Sequence, residues 1–307
     1  MKILITEFME AKSVEMLKRN FDVTLDKSLS LNHNELKKII SNFDILIVRN
    51  KTQVNKEILE NASSLKFIGR LGVGLDNIDT EYCRNNNIHV QPATGMNADS
   101  VAEYVINSSL SLLKNTPLMH QETSLGNWPR ISISSRELNG KIFGLMGFGL
   151  IAKKVSTLAK IFNAHIIAYD PFIDSSIARE FNIKLVDINE IFEQADVISI
   201  HLPLTPTTEN LLNYDVFTKM QKQPIIINSS RGSIINEDDL LKAYDEKLIS
   251  GFALDVYETE PAPKIFLNSI QDNTNCILTP HIAGVTEESN IRVSDFIANS
   301  VKEFFKL

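Results

Sequence analysis

The sequence predicts an α/β protein built from two doubly wound parallel sheets with a cleft between them. Two observations support this fold class. Short apolar runs alternate with amphipathic stretches along nearly all of the 307 residues, a pattern typical of parallel strands covered by helices on both faces. The alternation is interrupted between residues 98 and 139 and then restarts, which indicates two domains.

The first domain is predicted to be discontinuous in sequence. Apolar runs at 2–5, 23–25, 45–48, 66–68 and 89–90 are candidate strands, and amphipathic stretches near 10–19, 33–41, 55–61 and 77–86 separate them. No helical pattern completes this set before residue 97, whereas the amphipathic stretch 286–307 has no strand of its own. We therefore expect the C-terminal helix to return, so that residues 1–97 and 284–307 form one domain.

The second domain is predicted over residues 98–283. A long helix is expected at 98–114, with Asp99 and Ser100 as acceptors for its first turn. The segment 116–139, which contains Pro117 and Pro129, is expected to be irregular. Candidate strands then follow at 141–146, 165–169, 197–200, 225–228, 252–254 and 276–278.

Composition and charge exclude several classes of function. The net charge of -7 provides no general attraction for nucleic acid or anionic lipid. Two cysteines offer no disulfide framework, and none of the six histidines has metal-ligand spacing, so no metal is expected. Because neither a signal peptide nor a membrane-spanning run is evident, we expect a cytoplasmic protein.

A glycine turn is the clearest binding motif. The segment 141–152 passes from a strand to a helix and places Gly147, Gly149 and Ala152 in the Gly-x-Gly-x-x-Gly/Ala pattern. Gly147 permits the turn, Gly149 lets a diphosphate approach the backbone, and the amides of Leu150 and Ile151 face it.

A second strand after the turn ends at Asp170, about 20 residues further on, where an acid binds the ribose hydroxyls and disfavours a 2′-phosphate. The turn therefore predicts NAD binding rather than NADP binding. The alternative is a turn that has only a structural role.

Four polar residues follow predicted strands of the same domain: Arg231, Asp255, Glu260 and His281. In a doubly wound sheet, ligands bind beyond the carboxyl ends of the strands. Hydride transfer to a ketone needs a proton donor, a cation near the carbonyl, and a group that orients the donor. His281, Arg231 and Glu260 match these three roles. Taken singly, each also has a structural alternative, as a turn cap, an ion-pair partner or a solvated acid.

These residues resemble the D-isomer-specific 2-hydroxyacid dehydrogenase family, and most closely its D-3-phosphoglycerate dehydrogenase branch. The resemblance spans nearly the whole chain, with matching segments at 47–54, 69–79, 97–103, 137–141, 144–152, 228–232, 254–261 and 280–284. It implies a Rossmann-type NAD domain, a flavodoxin-like substrate domain, and catalysis by Arg231, Glu260 and His281.

The same resemblance implies the ligand contacts. The substrate carboxylate would be bound by the backbone of Val73 and Gly74, with Asn97 also at the substrate. The implied NAD contacts are Gly147, Gly149, Leu150, Ile151, Asp170, Leu202, Pro203, Ser229, Ser230, Asp255, Ala283 and Gly284. Leu150 and Leu202 depart from the polar or small residues usual in the family. A homodimer that packs through 98–139 is also implied.

Substrate choice is expected to depend on Arg49 and Arg70, which lie at predicted strand ends of the first domain and would bind a phosphate. The alternative for each is a surface salt bridge. The resemblance thus implies oxidation of D-3-phosphoglycerate in serine biosynthesis, without the C-terminal regulatory domain of longer relatives. The alternative hypotheses are a glyoxylate or hydroxypyruvate reductase, a D-lactate dehydrogenase, a formate dehydrogenase, and an NAD-sensing co-repressor that binds NAD without catalysing a reaction.

Overall fold

The structure, a computed structural model, describes residues 1–270 and 275–307. The chain forms two compact units, one of residues 1–97 with 285–307 and the other of residues 98–284. The division after the last strand falls between Gly284 and Val285, one residue beyond the predicted boundary. Among the described residues, no helix is both long enough and apolar enough to cross a bilayer.

The first unit contains a five-stranded sheet in the order β2-β1-β3-β4-β5, and every pairing is parallel. Its strands are β1 (Lys2–Ile5), β2 (Asp22–Leu25), β3 (Ile45–Val48), β4 (Phe67–Arg70) and β5 (His89–Pro92). Its helices are α1 (Ala11–Lys18), α2 (His33–Ile39), α3 (Lys56–Leu59), α4 (Thr80–Asn85) and α13 (Glu287–Phe304), with short 3-10 turns at Lys27–Ser30 and Ile40–Asn42.

Helix α13 packs on the sheet of the first unit. It begins at the N-cap Thr286, where Thr286 and Ser289 exchange hydrogen bonds in a capping box. Its buried face joins the apolar cluster that covers β1, β3 and β4. The helix approaches β4 closely, because a Cβ on Gly69 would lie 2.6 Å from the side chain of Ile297. The C-terminal segment therefore supplies a face of this core.

The second unit contains a seven-stranded sheet in the order β12-β11-β10-β9-β6-β7-β8, also parallel throughout. Its strands are β6 (Ile142–Met146), β7 (His165–Tyr169), β8 (Lys184–Leu185), β9 (Val197–Ile200), β10 (Ile225–Asn228), β11 (Gly251–Leu254) and β12 (Cys276–Leu278). The strand order reverses between β6 and β9, which is the position where doubly wound sheets bind ligands.

Helices cover both faces of this sheet, and their apolar side chains pack in two buried clusters. These helices are α5 (Ala98–Leu113), α7 (Leu150–Ile161), α8 (Ser175–Glu180), α9 (Ile188–Gln194), α10 (Tyr214–Phe217), α11 (Glu237–Asp245) and α12 (Lys264–Ser269), with a 3-10 turn at Gly232–Ile234. Helix α6 (Thr116–Ser124) follows α5 and buries none of its residues. The predicted fold class, two parallel-sheet α/β units, is confirmed.

The prediction that 116–139 is wholly irregular was wrong, because α6 occupies its first part. Asn115 adopts a left-handed backbone with φ of 51°, which ends α5 and lets a new helix start. Pro117 then lies in the first turn, where its missing N–H is not needed. Strand β8 was also not predicted, since its two residues show no apolar run.

Candidate functional site

All the residues predicted to bind NAD or to act on substrate in the second unit follow the carboxyl ends of its strands. The glycine turn follows β6, Asp170 follows β7, and Leu202 and Pro203 come shortly after β9. Ser229, Ser230 and Arg231 follow β10, Asp255 follows β11, and His281, Ala283 and Gly284 come shortly after β12. Because these strands are adjacent and parallel, the fold brings residues far apart in sequence to one edge of one sheet.

The glycine turn has the form that a bound diphosphate requires. Gly147 has φ of +90°, and a Cβ there would lie 2.6 Å from the carbonyl oxygen of His201. Gly149 faces open space, since a Cβ built on it meets nothing within 4 Å. Among the described residues, no side chain caps the first turn of α7. The backbone amides at this helix start can therefore bind the phosphates of NAD.

Asp170 ties the end of β7 to the glycine turn. One carboxylate oxygen accepts from the amide of Phe148 at 2.8 Å, and the other accepts from the amide of Phe172 at 2.9 Å. Each oxygen has a second acceptor site, so these bonds leave capacity for ribose hydroxyls. The residues of the turn and Asp170 thus fit an NAD molecule that binds across the point where the strand order reverses.

His201 lies behind the turn as a neutral side chain. Burial lowers the pKa of His201 to about 4, and its Nε2 is 3.0 Å from the Ser199 hydroxyl. Its backbone amide donates to Met146 at 2.7 Å. The residue therefore joins β9 to the end of β6, directly beneath Gly147.

Arg231 is held on a tight turn at the end of β10. The buried side chain of Asn228 donates to the carbonyl oxygen of Arg231 at 2.8 Å and accepts from the amide of Ser230 at 3.1 Å. The guanidinium Nη1 donates to the carbonyl oxygen of Ser230 at 2.7 Å. Next to it, Gly232 lies against the backbone of Tyr257. This contact brings the turn that carries Arg231 beside the loop that carries Glu260.

His281 and Glu260 form a direct pair. Their Nδ1 and Oε2 atoms are 2.8 Å apart, and the side chains are 47% and 38% exposed, respectively. A carboxylate at Nδ1 fixes the ring orientation and leaves Nε2 as the nitrogen available to a substrate proton. His281 has φ of 56°, a conformation that residues with a Cβ rarely adopt. The pair thus combines a solvent-accessible imidazole, a carboxylate and an unusual backbone at one strand end.

Asp255 has a structural role in this structure. It is 1% exposed, and its Oδ1 accepts from the Thr279 hydroxyl and the Ile282 amide, whereas its Oδ2 accepts from the Ala283 amide. These three bonds fix the loop on both sides of His281. Nearby, the hydroxyl oxygen of Ser229 is buried without a protein partner in the described part of the chain.

A reciprocal pair of acidic residues supports the Glu260 loop. The amide of Glu237 donates to Glu258 at 3.0 Å, and the amide of Glu258 donates to Glu237 at 2.7 Å. Burial raises the pKa of Glu237. The sequence reasoning missed these acids and also missed Tyr104, Tyr257 and Thr279, which hold the loops. The sequence offered one indication of their role: Tyr257 lies between Asp255 and Glu260, and Thr279 lies two residues before His281.

In the first unit, Arg49 begins a loop at the end of β3 that is organised by a buried acid. Glu7 is 6% exposed and accepts from the amides of Arg49, Lys51 and Thr52 at 2.8, 3.1 and 3.0 Å. The guanidinium of Arg49 donates to Asn290 at 2.9 Å. Burial lowers the pKa of Arg49, and Glu7 opposes that shift. Its guanidinium therefore has a neutral amide as partner and a carboxylate nearby.

Arg70 is the last residue of β4, which pairs with β3 so that Arg70 lies opposite Val48. Arg49 and Arg70 are therefore both at the carboxyl edge of neighbouring strands. The Arg70 guanidinium folds over Gly72, where a Cβ would lie 1.5 Å from its Nη1.

The loop after β4 exposes the backbone predicted to bind a carboxylate. The amides of Val73 and Gly74 donate to no protein acceptor within the described residues, and the side chain of Val73 is 38% exposed. Successive amides of this kind suit an anion. Asn97, at the end of the first unit's N-terminal segment, has a buried amide oxygen without a protein donor in the described part of the chain.

Residues 106–283 match the model of the D-isomer specific 2-hydroxyacid dehydrogenase NAD-binding domain. The chain is 36% identical over 302 residues to (S)-sulfolactate dehydrogenase of Chromohalobacter salexigens, covering 98% of this chain and 97% of that protein.

Two further similarities concern a curated relative and a solved structure. The chain is 36% identical to D-3-phosphoglycerate dehydrogenase of Methanocaldococcus jannaschii, covering 99% of this chain but 57% of that longer protein. A crystal structure of D-lactate dehydrogenase from Aquifex aeolicus, complexed with NAD and lactic acid, is 26% identical with a TM-score of 0.86, covering 100% of this chain and 96% of that one.

Proposed function

Because the chain belongs to the D-isomer specific 2-hydroxyacid dehydrogenase family of NAD-dependent oxidoreductases, we propose that it oxidises a 2-hydroxy acid that carries an anionic group on C3. The first candidate is D-3-phosphoglycerate, which would be converted to 3-phosphohydroxypyruvate as the first step of serine biosynthesis. The observation that carries the proposal is the His281–Glu260 pair at 2.8 Å, on the strand edge that also bears the glycine turn.

The pair supplies the proton chemistry. His281 accepts the proton of the C2 hydroxyl at Nε2, since Nδ1 faces the carboxylate of Glu260. Glu260 stabilises the imidazolium that forms, and Arg231 binds the substrate carboxylate and polarises the C2 oxygen. Bound NAD supplies the acceptor for the hydride that leaves C2. The products are a 2-oxo acid and a protonated His281, which returns its proton to solvent.

The positive charges of the first unit support an anionic C3 group. Arg49 and Arg70 lie at adjacent strand ends, and the loop between β4 and α4 offers the amides of Val73 and Gly74 for the carboxylate. A phosphate or a sulfonate accepts several charge-assisted hydrogen bonds from guanidinium groups. In this proposal, the two arginines bind the C3 anion, and Asn97 contacts the substrate through its amide.

3-Sulfolactate is the second candidate, because the sulfolactate dehydrogenase relative matches this chain over almost its whole length. The phosphoglycerate dehydrogenase relative is matched over little more than half of its length. Glyoxylate, hydroxypyruvate and pyruvate lack the second anion and would need neither arginine. A co-repressor that only binds NAD would need no proton relay, so the His281–Glu260 pair disfavours it.

A substrate panel tests the proposal. Purified protein is assayed for NADH formation with D-3-phosphoglycerate, 3-sulfolactate and D-lactate, and for NADH consumption with glyoxylate and hydroxypyruvate. We expect the highest kcat/KM with a C3-anionic substrate, and we expect Arg49→Met and Arg70→Met to lower that value at least tenfold. Equal or better kcat/KM with glyoxylate would contradict the C3-anion proposal. No turnover of any substrate would contradict the enzymatic role.

We also propose that the protein is a homodimer that pairs through residues 98–139. Leu125, Trp128 and Ile131 are 70%, 81% and 92% exposed, and helix α6 before them has no buried residue. Adjacent exposed apolar side chains of this size are typical of a contact surface. Trp128→Asp with Ile131→Asp should convert a dimer to a monomer in sedimentation velocity. A monomeric wild-type protein at micromolar concentration would exclude the dimer.

A further inference from the structure

We propose that Tyr257 is a positioning residue that holds both members of the His281–Glu260 pair, and that Tyr104 and Thr279 fix its anchor point. The inference rests on the proposed catalytic role of that pair. The inference explains why His281 and Glu260 stay aligned. The two side chains are solvent-accessible and lie on separate loops, so other groups must hold them in position.

Tyr257 contacts the Glu260 side of the pair through its backbone. The amide of Tyr257 lies 3.4 Å from Oε1 of Glu260, while Oε2 of the same carboxylate faces His281. The carboxylate therefore has one oxygen toward Tyr257 and the other toward the imidazole. This arrangement restrains rotation of the carboxylate about its terminal bond.

Tyr257 contacts the His281 side through its hydroxyl. The hydroxyl lies 3.1 Å from the carbonyl oxygen of Thr279 and 3.3 Å from that of Leu254, so Thr279 is the nearer of two acceptors for its proton. The Thr279 carbonyl also accepts from the amide of His281 at 3.1 Å. One carbonyl therefore joins Tyr257 to the backbone of His281. Because burial raises the pKa of Tyr257 to about 12, the hydroxyl keeps its proton and remains a donor at neutral pH.

Thr279 is itself held by a chain of side chains with a defined direction. Its hydroxyl is 2.6 Å from Oδ1 of Asp255, and 2.7 Å from the hydroxyl of Tyr104 on helix α5. An ionised carboxylate only accepts, so the Thr279 proton points to Asp255, and Tyr104 must donate to Thr279. The chain thus runs from Tyr104 through Thr279 to Asp255 and uses each proton once.

The unusual backbone of His281 makes this support necessary. A φ of 56° is sparsely populated for a residue with a Cβ and persists only where the surroundings determine it. Thr279 fixes the chain before His281, and the amides of Ile282 and Ala283, which donate to Asp255, fix it afterwards. Loss of the Tyr257 or Thr279 contacts would therefore let the imidazole move while the remaining core stays folded.

The test compares Tyr257→Phe, Thr279→Val and Thr279→Ser with wild type, using the best substrate from the panel. Tyr214→Phe is the matched control, because its hydroxyl bonds Glu246 at 2.6 Å on the surface of the same unit. For Tyr257→Phe and Thr279→Val we expect kcat to fall about tenfold, the equivalent of one lost hydrogen bond. The Kd for NADH should stay within twofold. Thr279→Ser, which keeps the hydroxyl, should restore most of the lost kcat.

Three results would overturn the inference: kcat within twofold of wild type for both Tyr257→Phe and Thr279→Val, an equal loss with Tyr214→Phe, or no rescue by Thr279→Ser. If Tyr257→Phe fails to fold by circular dichroism, the Thr279→Val and Thr279→Ser pair decides. The outcome is separable from the proposed function. If His281→Ala abolishes turnover while these variants match wild type, only the positioning role is wrong, whereas full activity of His281→Ala contradicts the function itself.

Discussion

Gly232 and Tyr257 are in backbone contact: a Cβ on Gly232 would lie 1.9 Å from the carbonyl carbon of Tyr257. This contact joins the turn after β10, which carries Arg231, to the loop after β11, which carries Glu260. Two of the three proposed catalytic residues therefore keep their relative position only while residue 232 has no side chain. The requirement is steric, since the backbone of Gly232 is not among the left-handed residues.

Gly232→Ala should separate these two loops. Because the obstacle is backbone and cannot move aside as a flexible side chain would, we expect kcat/KM to fall at least a hundredfold, with a loss of about 1–3 kcal/mol in the free energy of unfolding. The measurements are steady-state kinetics and urea unfolding. Gly140→Ala is the control, because it strains a φ of +70° but meets nothing within 4 Å. Near-normal kcat/KM for Gly232→Ala would show that the contact is not needed.

Gly149→Val should weaken cofactor binding with little effect on folding. The site of the added side chain is open, and the φ of −78° and ψ of −162° at Gly149 suit a residue with a Cβ. A valine there would occupy the space that a diphosphate needs. We expect the Kd for NADH, measured by fluorescence titration, to rise at least tenfold, with a smaller rise for Gly149→Ala. Unchanged NADH affinity in the valine variant would place the diphosphate elsewhere.

Glu7→Gln should destabilise the first unit and disturb the Arg49 loop. The carboxylate accepts three backbone amides, and a glutamine would turn an N–H toward at least one of them. We expect a loss of roughly 2 kcal/mol in the free energy of unfolding and a higher KM for the C3-anionic substrate. Glu15→Gln, on the surface of α1 beside Lys18, is the control and should change neither quantity. Equal stability of the two variants would contradict the role of Glu7.

His201 should make the protein sensitive to moderate acid. The pKa of His201 in the folded state, about 4, is below its ordinary value of 6.5, so the unfolded chain binds the proton first as the pH falls. Its contribution to stability is complete above pH 6.5 and is lost between pH 6.5 and 4, up to about 3 kcal/mol in total. Urea unfolding across this range should show a steeper loss for wild type than for His201→Asn. Parallel curves would contradict the assignment.

Much of the architecture could be predicted from the sequence because it depends on local patterns. The predicted bounds of β3, β9 and β10 agree with the observed strands at every residue. The glycine motif also predicts the strand before it and the helix after it, and both are present. The rule that ligands bind at the carboxyl ends of strands then located the edge that bears His281 and Arg231. Helix α6 was missed because a proline such as Pro117 usually interrupts a helix, although proline is compatible with the first turn, where Pro117 lies.

The supporting contacts could not be predicted, since they join residues that are distant in sequence. The Tyr104 to Thr279 bond, the Glu237 and Glu258 exchange, and the Glu7 contacts to residues 49–52 each depend on how strands and helices are arranged in space. Asp255 shows the same limit. Its place after β11 predicts a ligand contact, and the three bonds that its carboxylate accepts could not be foreseen because their donors lie 24 to 28 residues further along the chain.

The proton relay is tested most directly by the turnover of His281→Ala and Glu260→Gln in saturating NAD and the preferred substrate. Without an imidazole to accept the C2 hydroxyl proton, we predict a loss of kcat of about a hundredfold or more for His281→Ala, and a smaller loss for Glu260→Gln. The Kd for NADH should stay nearly unchanged in both variants, because within the described residues the side-chain bonds of the pair join His281 to Glu260 and Glu260 to Tyr257, away from the glycine turn. Turnover of His281→Ala within a few-fold of wild type would contradict the account.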